Sequence, residues 1–185
     1  MQIIFQPAIS DNHFEQIIAL QQKNLYKNLN ADQQAQQGFV FAEHTVDLLK
    51  KMADDLPQIV ALADDKVIGY NLCMPSDKAS LLPELAPMFA AFDEVIYKGK
   101  PLNDYRYIVG GQVCVDADYR GQGLLSKLYH ATKDHLPVEY DLCVTEVSSR
   151  NHNSLKAHQK MGFEHVHTYH DGLETWNVIV WKFNK

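Results

Sequence analysis

The hydrophobic and polar positions of the chain follow a pattern that is typical of an α/β protein. Short apolar runs predict buried strands, and apolar residues spaced three and four apart predict amphipathic helices between them. The predicted order is one strand, helices, three strands, a helix, a strand, a helix and two closing strands. This order indicates a mixed sheet that is covered by helices.

Candidate capping residues mark where several predicted helices begin and end. Ser10 or Asp11 can cap the first long helix, and Thr45 precedes a second amphipathic stretch. Asn151 opens a short helix, and Gly162 ends it, because glycine is the common residue just after a helix. These helices therefore have local start and stop signals in the sequence.

The stretch at about residues 75–104 is longer than an ordinary connection between two strands. Apolar residues recur at helical spacing over residues 85–96, which predicts an amphipathic helix there. We therefore predict a single domain over residues 1–185 with an inserted helical segment.

The overall composition narrows the classes of protein and partner. A chain of 185 residues with 46% hydrophobic and 22% charged residues is typical of one globular domain. The net charge of −6 argues against a sequence-independent grip on nucleic acid. No apolar run reaches the ~20 residues that span a bilayer, so we expect no membrane partner. The N-terminal stretch has no basic and apolar leader pattern, which predicts a cytoplasmic protein.

The cysteine and histidine residues indicate neither a disulfide framework nor a metal site. Cys73, Cys114 and Cys143 lie in apolar runs without paired spacing, which predicts reduced core residues. The histidines form no set with ligand spacing on one helix face. We therefore expect no bound metal.

A glycine-rich stretch, VDADYRGQGLLSKLY at residues 115–129, lies where a helix must start. Glycine destabilises a helix interior by about 1 kcal/mol relative to alanine, so its presence here calls for an explanation. The first turn of a helix carries free N–H groups and the positive end of the helix dipole, and glycine lets an anion approach them. The stretch therefore predicts a phosphate-binding turn, and a plain strand-to-helix turn is the alternative.

Two general nucleotide-binding patterns fail to match this turn. The chain lacks the Gly-Lys-Ser/Thr ending of a Walker phosphate loop. The dinucleotide pattern reaches Gly121 and Gly123 but has Ser126 where its last glycine belongs, although Glu146 could imitate its ribose-binding acid. A nucleotide-binding oxidoreductase therefore stays only as a rival function.

Two spaced motifs resemble the GNAT superfamily of acyl-CoA N-acyltransferases. The family signature [QR]-x-x-G-x-[GA] corresponds to residues 120–125, and the second landmark corresponds to Asn151 followed by Gly162 and Phe163. Leu125 departs from the small residue of the signature. The resemblance covers nearly the whole chain and implies the GNAT fold, which is a central mixed, mostly antiparallel sheet flanked by helices.

The same resemblance implies acetyl-CoA as co-substrate and no metal. Its pyrophosphate would lie on the backbone of the glycine-rich turn, and its pantetheine arm along the strand before it. The residues expected to bind it are Val113, Cys114, Val115, Arg120, Gly121, Gln122, Gly123, Leu124, Leu125, Ser126 and Asn151.

Three of these residues also have ordinary structural explanations. Arg120 could add charge at the phosphates or be a solvated surface arginine. Asn151 could contact the cofactor arm or simply cap its helix. Cys114 is expected to be a core residue and not a nucleophile, since the family transfers the acyl group directly to an amine.

Two catalytic residues are expected from their positions in the resemblance. Glu146 ends a strand where some family members carry a general base, and its alternative is a solvated strand-end glutamate. His158 stands where the family usually has a tyrosine that protonates the leaving thiolate, and its alternative is a half-exposed helix histidine. We expect both side chains to face one cleft. Asp104 and Asp116 are lesser candidates for the base.

The function implied is an N-acetyltransferase that transfers acetyl from acetyl-CoA directly to a primary amine, in a ternary complex. A small-molecule amine is favoured because the long insertion suggests a lid over a compact pocket. The alternatives are a non-catalytic acyl-CoA-binding or regulatory domain, and a protein acetyltransferase acting on N-termini or lysines. The oligomeric state is open, a homodimer included.

Overall fold

The structure is a computed structural model that describes residues 2–183. Within those residues no helix has the length and apolar character needed to cross a membrane. The helices are α1 (Asp11–Asn24), α2 (Ala31–Gln37), α3 (Val46–Asp55), α4 (Ala86–Asp93), α5 (Leu124–His135) and α6 (His152–Met161). The strands are β1 (Ile3–Pro7), β2 (Ile59–Ala63), β3 (Lys66–Pro75), β4 (Ile96–Tyr97), β5 (Lys100–Pro101), β6 (Tyr107–Val115), β7 (Leu142–Ser148), β8 (Glu164–His170) and β9 (Thr175–Lys182).

Seven strands form the main sheet in the order β1-β2-β3-β6-β7-β9-β8, and β4 and β5 form a separate hairpin. Strands β6 and β7 run parallel to each other. The pairs β1–β2, β2–β3, β7–β9 and β8–β9 are antiparallel. The protein therefore has an α/β fold with a mixed, mostly antiparallel sheet flanked by helices, which confirms the predicted fold class.

The backbone divides into two compact units. The first comprises the chain up to Met74 together with Gly110–Leu136, and the second comprises Pro75–Val109 together with the chain from Pro137 onward. Strand β6 therefore contributes its first three residues to the second unit and the rest to the first. One functional domain over residues 1–185 stays a prediction.

In the first unit, α5 packs on one face of β2 and β3. Leu124 and Leu128 of the helix lie in one cluster with Ile59, Ala61 and Ile68 of the strands. Burial of each leucine or isoleucine side chain stabilises the fold by about 1.5–3 kcal/mol. This packing fixes the N-terminal end of α5, where the glycine-rich turn lies.

In the second unit, β7 and β9 pair over the full length of β7. Their shared face buries Val144, Val178 and Val180 completely. Helix α4 buries Phe92, whose ring lies edge-on to Tyr107 with centroids 6.3 Å apart. Glu146 lies on β7 within this packing, where it pairs with Val178.

The predicted helix caps are confirmed. The side chains of Ser10, Thr45 and Asn151 each accept a hydrogen bond from the backbone N–H three residues further on. Gly162 ends α6 with a φ of +105°, which a side chain rarely tolerates.

The predicted helix over residues 85–96 is wrong in extent. Helix α4 covers only Ala86–Asp93, and Ile96 lies in β4 with 61% of its surface exposed. Lys98 and Gly99 both have a positive φ and form the turn that closes the β4–β5 hairpin. The end of the predicted helix therefore belongs to this hairpin. The inserted segment is therefore a short helix followed by a hairpin.

Candidate active site

The glycine-rich turn places two glycines in the left-handed region immediately before α5. Gly121 has a φ of +76° and Gly123, the N-cap of α5, has a φ of +74°. A Cβ atom on either residue would meet no other atom within 4 Å, so crowding does not explain the glycines. The positive φ angles require them. The helix begins at Leu124, directly after the second glycine.

The turn presents a continuous row of backbone N–H groups. The N–H of Arg120 donates to Ala117 O at 3.4 Å, and that of Lys127 donates to Gly123 O at 3.2 Å. Between them, the N–H groups of residues 121–126 form no hydrogen bond of normal geometry within the described residues. We call residues 121–126 the N–H row. Such a row at a helix N-terminus is suited to an anion, and the N–H of Arg120 is not part of it.

The strand before the turn is anchored by its side chains. Val113 and Val115 pack against the cluster beneath α5, and Cys114 is buried. Burial raises the pKa of the Cys114 thiol to about 12, so the thiol is protonated and unreactive. Cys114 is therefore a core residue, as expected, and a hydrogen bond from this strand to pantetheine stays a prediction.

The guanidinium of Arg120 points into the first unit. It donates to Val115 O at 3.0 Å, to Gln37 O at 2.9 Å and to Asn24 Oδ1 at 2.6 Å. The sequence left two roles open for Arg120, a charge at the phosphates or a solvated surface side chain. Its contacts with these three protein oxygens correspond to neither role.

A buried polar network in the first unit was not predicted from the sequence. Gln21 Nε2 lies 2.8 Å from Gln112 Oε1 and 2.8 Å from His44 Nδ1, and Tyr70 donates to Gln112 Oε1 at 2.6 Å. Burial lowers the pKa of His44 to about 4, so the imidazole is neutral at pH 7. The network ties α1 to β6 and to the loop that precedes α3. Four polar residues far apart in sequence give no local signal of this kind.

The second unit contains a carboxylate and a tyrosine in direct contact. The hydroxyl of Tyr169 on β8 donates to Glu146 Oε2 on β7 at 2.5 Å. Burial raises the pKa of Glu146 to about 7; the bond from Tyr169 opposes this rise and the charge of Asp171 adds to it. Burial and the contact with Glu146 raise the pKa of Tyr169, which keeps its hydroxyl protonated. Glu146 can therefore exchange a proton near neutral pH, unlike an ordinary solvated glutamate.

The hairpin between β8 and β9 is braced beside this pair. Asp171 accepts the backbone N–H groups of Leu173 and Glu174 and the indole N–H of Trp176. Arg150 donates twice to Glu174 Oε2, at 2.8 and 2.5 Å. These contacts fix Asp171, so its charge stays close enough to influence Glu146.

His158 is a buried residue of α6, with 2% of its surface exposed. Its Nδ1 lies 2.8 Å from Ser154 O, and because a carbonyl only accepts, the proton is on Nδ1. Burial lowers the pKa of His158 to about 4, so the ring is neutral and its Nε2 carries a lone pair. This protonation state does not favour donation from Nε2 to a thiolate.

The structure does not bring His158 and Glu146 to one face of the sheet. The ring of His158 contacts Phe163, with centroids 5.0 Å apart, and Phe163 lies against Trp181 at 6.0 Å. Trp181 pairs with Cys143, and Glu146 is three residues further along β7. Because side chains alternate along a strand, Glu146 points to the opposite face.

The other candidates have structural roles in the described residues. Asn151 is buried and its Oδ1 caps α6 by accepting the N–H of Ser154 at 3.3 Å. Asp116 accepts the N–H of Asp118 and pairs with Lys66 at 3.2 Å. Within residues 2–183, no group of three or more His, Cys, Asp or Glu side chains could hold a metal ion.

One comparison with known proteins identifies a family. The model of the acetyltransferase (GNAT) family matches residues 25–163. No curated protein sequence is similar enough to the chain to count as a relative.

Several solved structures share the fold. The NatC complex bound to Gag peptide and CoA is 16% identical with a TM-score of 0.66, over all of both chains. NAA60 of Arabidopsis thaliana in complex with acetyl-CoA is 13% identical with a TM-score of 0.64, over 98% of this chain and all of that one. The ribosomal-protein-S18-alanine N-acetyltransferase of Escherichia coli is 11% identical with a TM-score of 0.62, over 98% and 94%. The family match covers most of the chain, and the protein belongs to the GNAT family of acetyltransferases.

Proposed function

We propose that this protein transfers an acetyl group from acetyl-CoA to a primary amine. Family membership supports the reaction class, and the observation that carries the proposal is the N–H row ahead of α5. Solved structures of this fold contain CoA or acetyl-CoA, which supports an acyl-CoA co-substrate.

The pyrophosphate of acetyl-CoA would accept hydrogen bonds from the N–H row. Each hydrogen bond to a charged acceptor contributes about 1.5–3 kcal/mol, so three or four account for much of the affinity. The backbone of Val113, Cys114 and Val115 would bind the pantetheine arm, and the amide of Asn151 would contact it while capping α6. Arg120 would support the turn through its side-chain contacts in the first unit.

Glu146 is the proposed general base. An alkylamine with a pKa near 10 is almost fully protonated at about pH 7, so a proton must leave before nitrogen can attack. With a pKa of about 7, Glu146 is ionised in a useful fraction at neutral pH and can accept that proton. The neutral nitrogen then attacks the thioester carbonyl carbon, the carbon–sulfur bond breaks, the nitrogen releases its second proton to form the amide, and the thiolate of CoA takes up a proton.

The thiolate of CoA needs a proton donor, and His158 and water are the two candidates. His158 lies on α6, and the proton on its Nδ1 is bound to Ser154 O. Donation from Nε2 would require the other tautomer or a cationic ring, and burial disfavours the cation. We therefore keep His158 as a candidate donor and propose water as its competitor.

A small-molecule amine is the proposed acceptor. The segment between β3 and β6 folds into α4 and the β4–β5 hairpin, and an ordered insertion of this length commonly has a role of its own. A protein N-terminus is the second candidate. It is supported by two solved structures of this fold, one bound to a Gag peptide and the other a ribosomal-protein-S18-alanine N-acetyltransferase.

A thiol-release assay with acetyl-CoA and an acceptor panel tests the proposal. The panel contains small primary amines and short peptides with free or blocked N-termini, with mass detection of the product. Stoichiometric thiol and acetylated small amine are the expected result, and exclusive acetylation of free peptide N-termini would select the second candidate. Binding of acetyl-CoA without turnover on any acceptor would indicate a non-catalytic domain. Binding of NAD(P) with no binding of CoA would contradict the proposal entirely.

A further inference from the structure

The side chain of Arg120 joins the ends of three elements in the first unit. Its three contacts are with Val115, the last residue of β6, Asn24, the last residue of α1, and Gln37, the last residue of α2. Each of its three nitrogens has a separate partner, so the planar fork of the guanidinium contacts all three elements at once. Lysine has a single nitrogen and no such fork, so it cannot reproduce three contacts at these separate positions.

Asn24 is oriented specifically to receive this contact. It is 6% exposed, and its Nδ2 donates to Leu20 O at 2.8 Å within α1. Because the amide nitrogen is committed to that carbonyl, Oδ1 is the atom that faces Arg120. The bond of 2.6 Å between a cation and a buried amide oxygen is of the strong, charge-assisted kind.

Helix α2 depends on contacts at its two ends. It has seven residues, none of them buried, and a helix this short is unstable by itself in water. A capping box of Asn30 and Gln33 holds its start. At its end, Gln37 O accepts from Arg120, where the helix dipole also favours a cation.

We propose that Arg120 is a positioning residue for cofactor binding. It anchors the residue before the N–H row to α1, α2 and β6, and so holds the row in the orientation that accepts a pyrophosphate. The inference rests on the proposed function, and it assigns the charge of Arg120 to the fold and not to the phosphate. It also couples the row to α2, so that ligand at the row slows local opening of α2.

Acetyl-CoA titrations of Arg120→Lys and Arg120→Ala test this assignment. Both variants are expected to bind about tenfold more weakly, because lysine keeps the charge but loses the fork. The KM for acetyl-CoA should rise while kcat changes less. The dependence of affinity on salt should match that of the wild type, since no charge at the phosphate is removed. Arg106→Lys is the matched control, because Arg106 is an exposed arginine paired only with Glu139 in the described contacts.

Two variants at Asn24 differ in the acceptor that they offer to Arg120. Both lose the bond from Nδ2 to Leu20 O, so the difference between them reports the Arg120 contact. Asn24→Asp keeps an oxygen acceptor for Arg120 and should retain most of the affinity. Asn24→Leu has a similar size and no acceptor, and should weaken binding like Arg120→Lys. Circular dichroism and hydrogen exchange of α2 verify that each variant is folded and show whether α2 opens faster.

Wild-type affinity in Arg120→Lys, or a shallower salt dependence in Arg120→Ala, would overturn the positioning role in favour of a direct charge at the phosphate. Equal affinity of Asn24→Asp and Asn24→Leu would also contradict it. Gly123→Glu separates this inference from the proposed function. If Gly123→Glu abolishes binding while Arg120→Lys does not, only the role of Arg120 fails; if Gly123→Glu binds normally, the cofactor site itself fails.

Discussion

The N–H row of the first unit and the Glu146–Tyr169 pair of the second present two different kinds of chemistry. The row offers only backbone groups, and its two glycines serve to reach positive φ angles. The pair offers only side chains, and its properties come from burial and a hydrogen bond between two strands. The first is suited to hold a fixed negative charge, and the second to exchange a proton.

This difference predicts how each region responds to change. A backbone site is insensitive to pH and sensitive to any side chain that occupies its space or carries charge into it. A carboxyl group whose pKa is set by its surroundings changes with pH and with every neighbour. Binding and turnover should therefore separate cleanly between variants of the two regions.

The largest effect is expected for Gly123→Glu. It forces a side chain onto a φ of +74° and brings a carboxylate against the N–H row, so acetyl-CoA affinity should fall by about 100-fold or more. Gly99→Glu is the matched control, since Gly99 has a φ of +81° and equally open space. Calorimetric titration checks both variants, and equal losses in the two would mean that backbone strain, not the row, controls binding.

Glu146→Gln should leave binding almost intact and lower kcat by about 100-fold or more, the range expected for loss of a general base. Glutamine keeps the size of the side chain and an acceptor for Tyr169, so the fold is preserved. Steady-state kinetics at saturating acetyl-CoA measure the effect. A variant that turns over at the wild-type rate would remove Glu146 from the reaction and favour a water chain.

His158→Phe should change the stability of the fold at acidic pH more than it changes kcat. The folded pKa of His158, about 4, lies below its unfolded value near 6.5. The unfolded chain therefore binds the proton first, and stability present above pH 6.5 is lost as the pH falls toward 4. The loss of stability is on the order of 3 kcal/mol for one fully buried ring.

Urea unfolding at pH 7 and pH 4.5 should show a stability that depends less on pH in the variant than in the wild type. The pH dependence that remains is expected to come in part from His44. A tenfold loss of kcat in the folded variant would instead support His158 as the thiolate donor.

The smallest effect is expected for Tyr169→Phe. The hydroxyl of Tyr169 lowers the pKa of Glu146, so its removal raises that pKa above about 7. The acidic limb of the profile of kcat/KM against pH should move to higher pH, with a rate loss at pH 7 that recovers in alkaline solution. An unchanged profile would show that the limb belongs to another group.

The sequence predicted the regions whose structure is local. A helix that follows the glycine-rich turn was predicted from neighbouring residues, and so were the caps at Ser10, Thr45 and Asn151. The family signature at residues 120–125 then indicated what the turn would bind. Both glycines lie outside α5, which begins at Leu124.

The contacts that join distant residues could not be predicted in this way. Tyr169 reaches Glu146 across β9, and the register of β8 shifts between His165 and His167, so strand alternation alone would not pair them. The burial of His158 depends on Phe163 and Trp181, and sequence spacing does not reveal it. The contacts of the Arg120 side chain with Asn24 and Gln37 likewise depend on where α1 and α2 end.

Amide hydrogen exchange, followed by NMR with and without acetyl-CoA, tests whether the N–H row binds the cofactor. We expect saturating acetyl-CoA to slow exchange of the amides of residues 121–126, which form no hydrogen bond of normal geometry in the described structure. The amide of Lys127, already bonded to Gly123 O, should change little. Unprotected amides throughout residues 121–126 at saturation would contradict the account, because acetyl-CoA would then be bound without the N–H row.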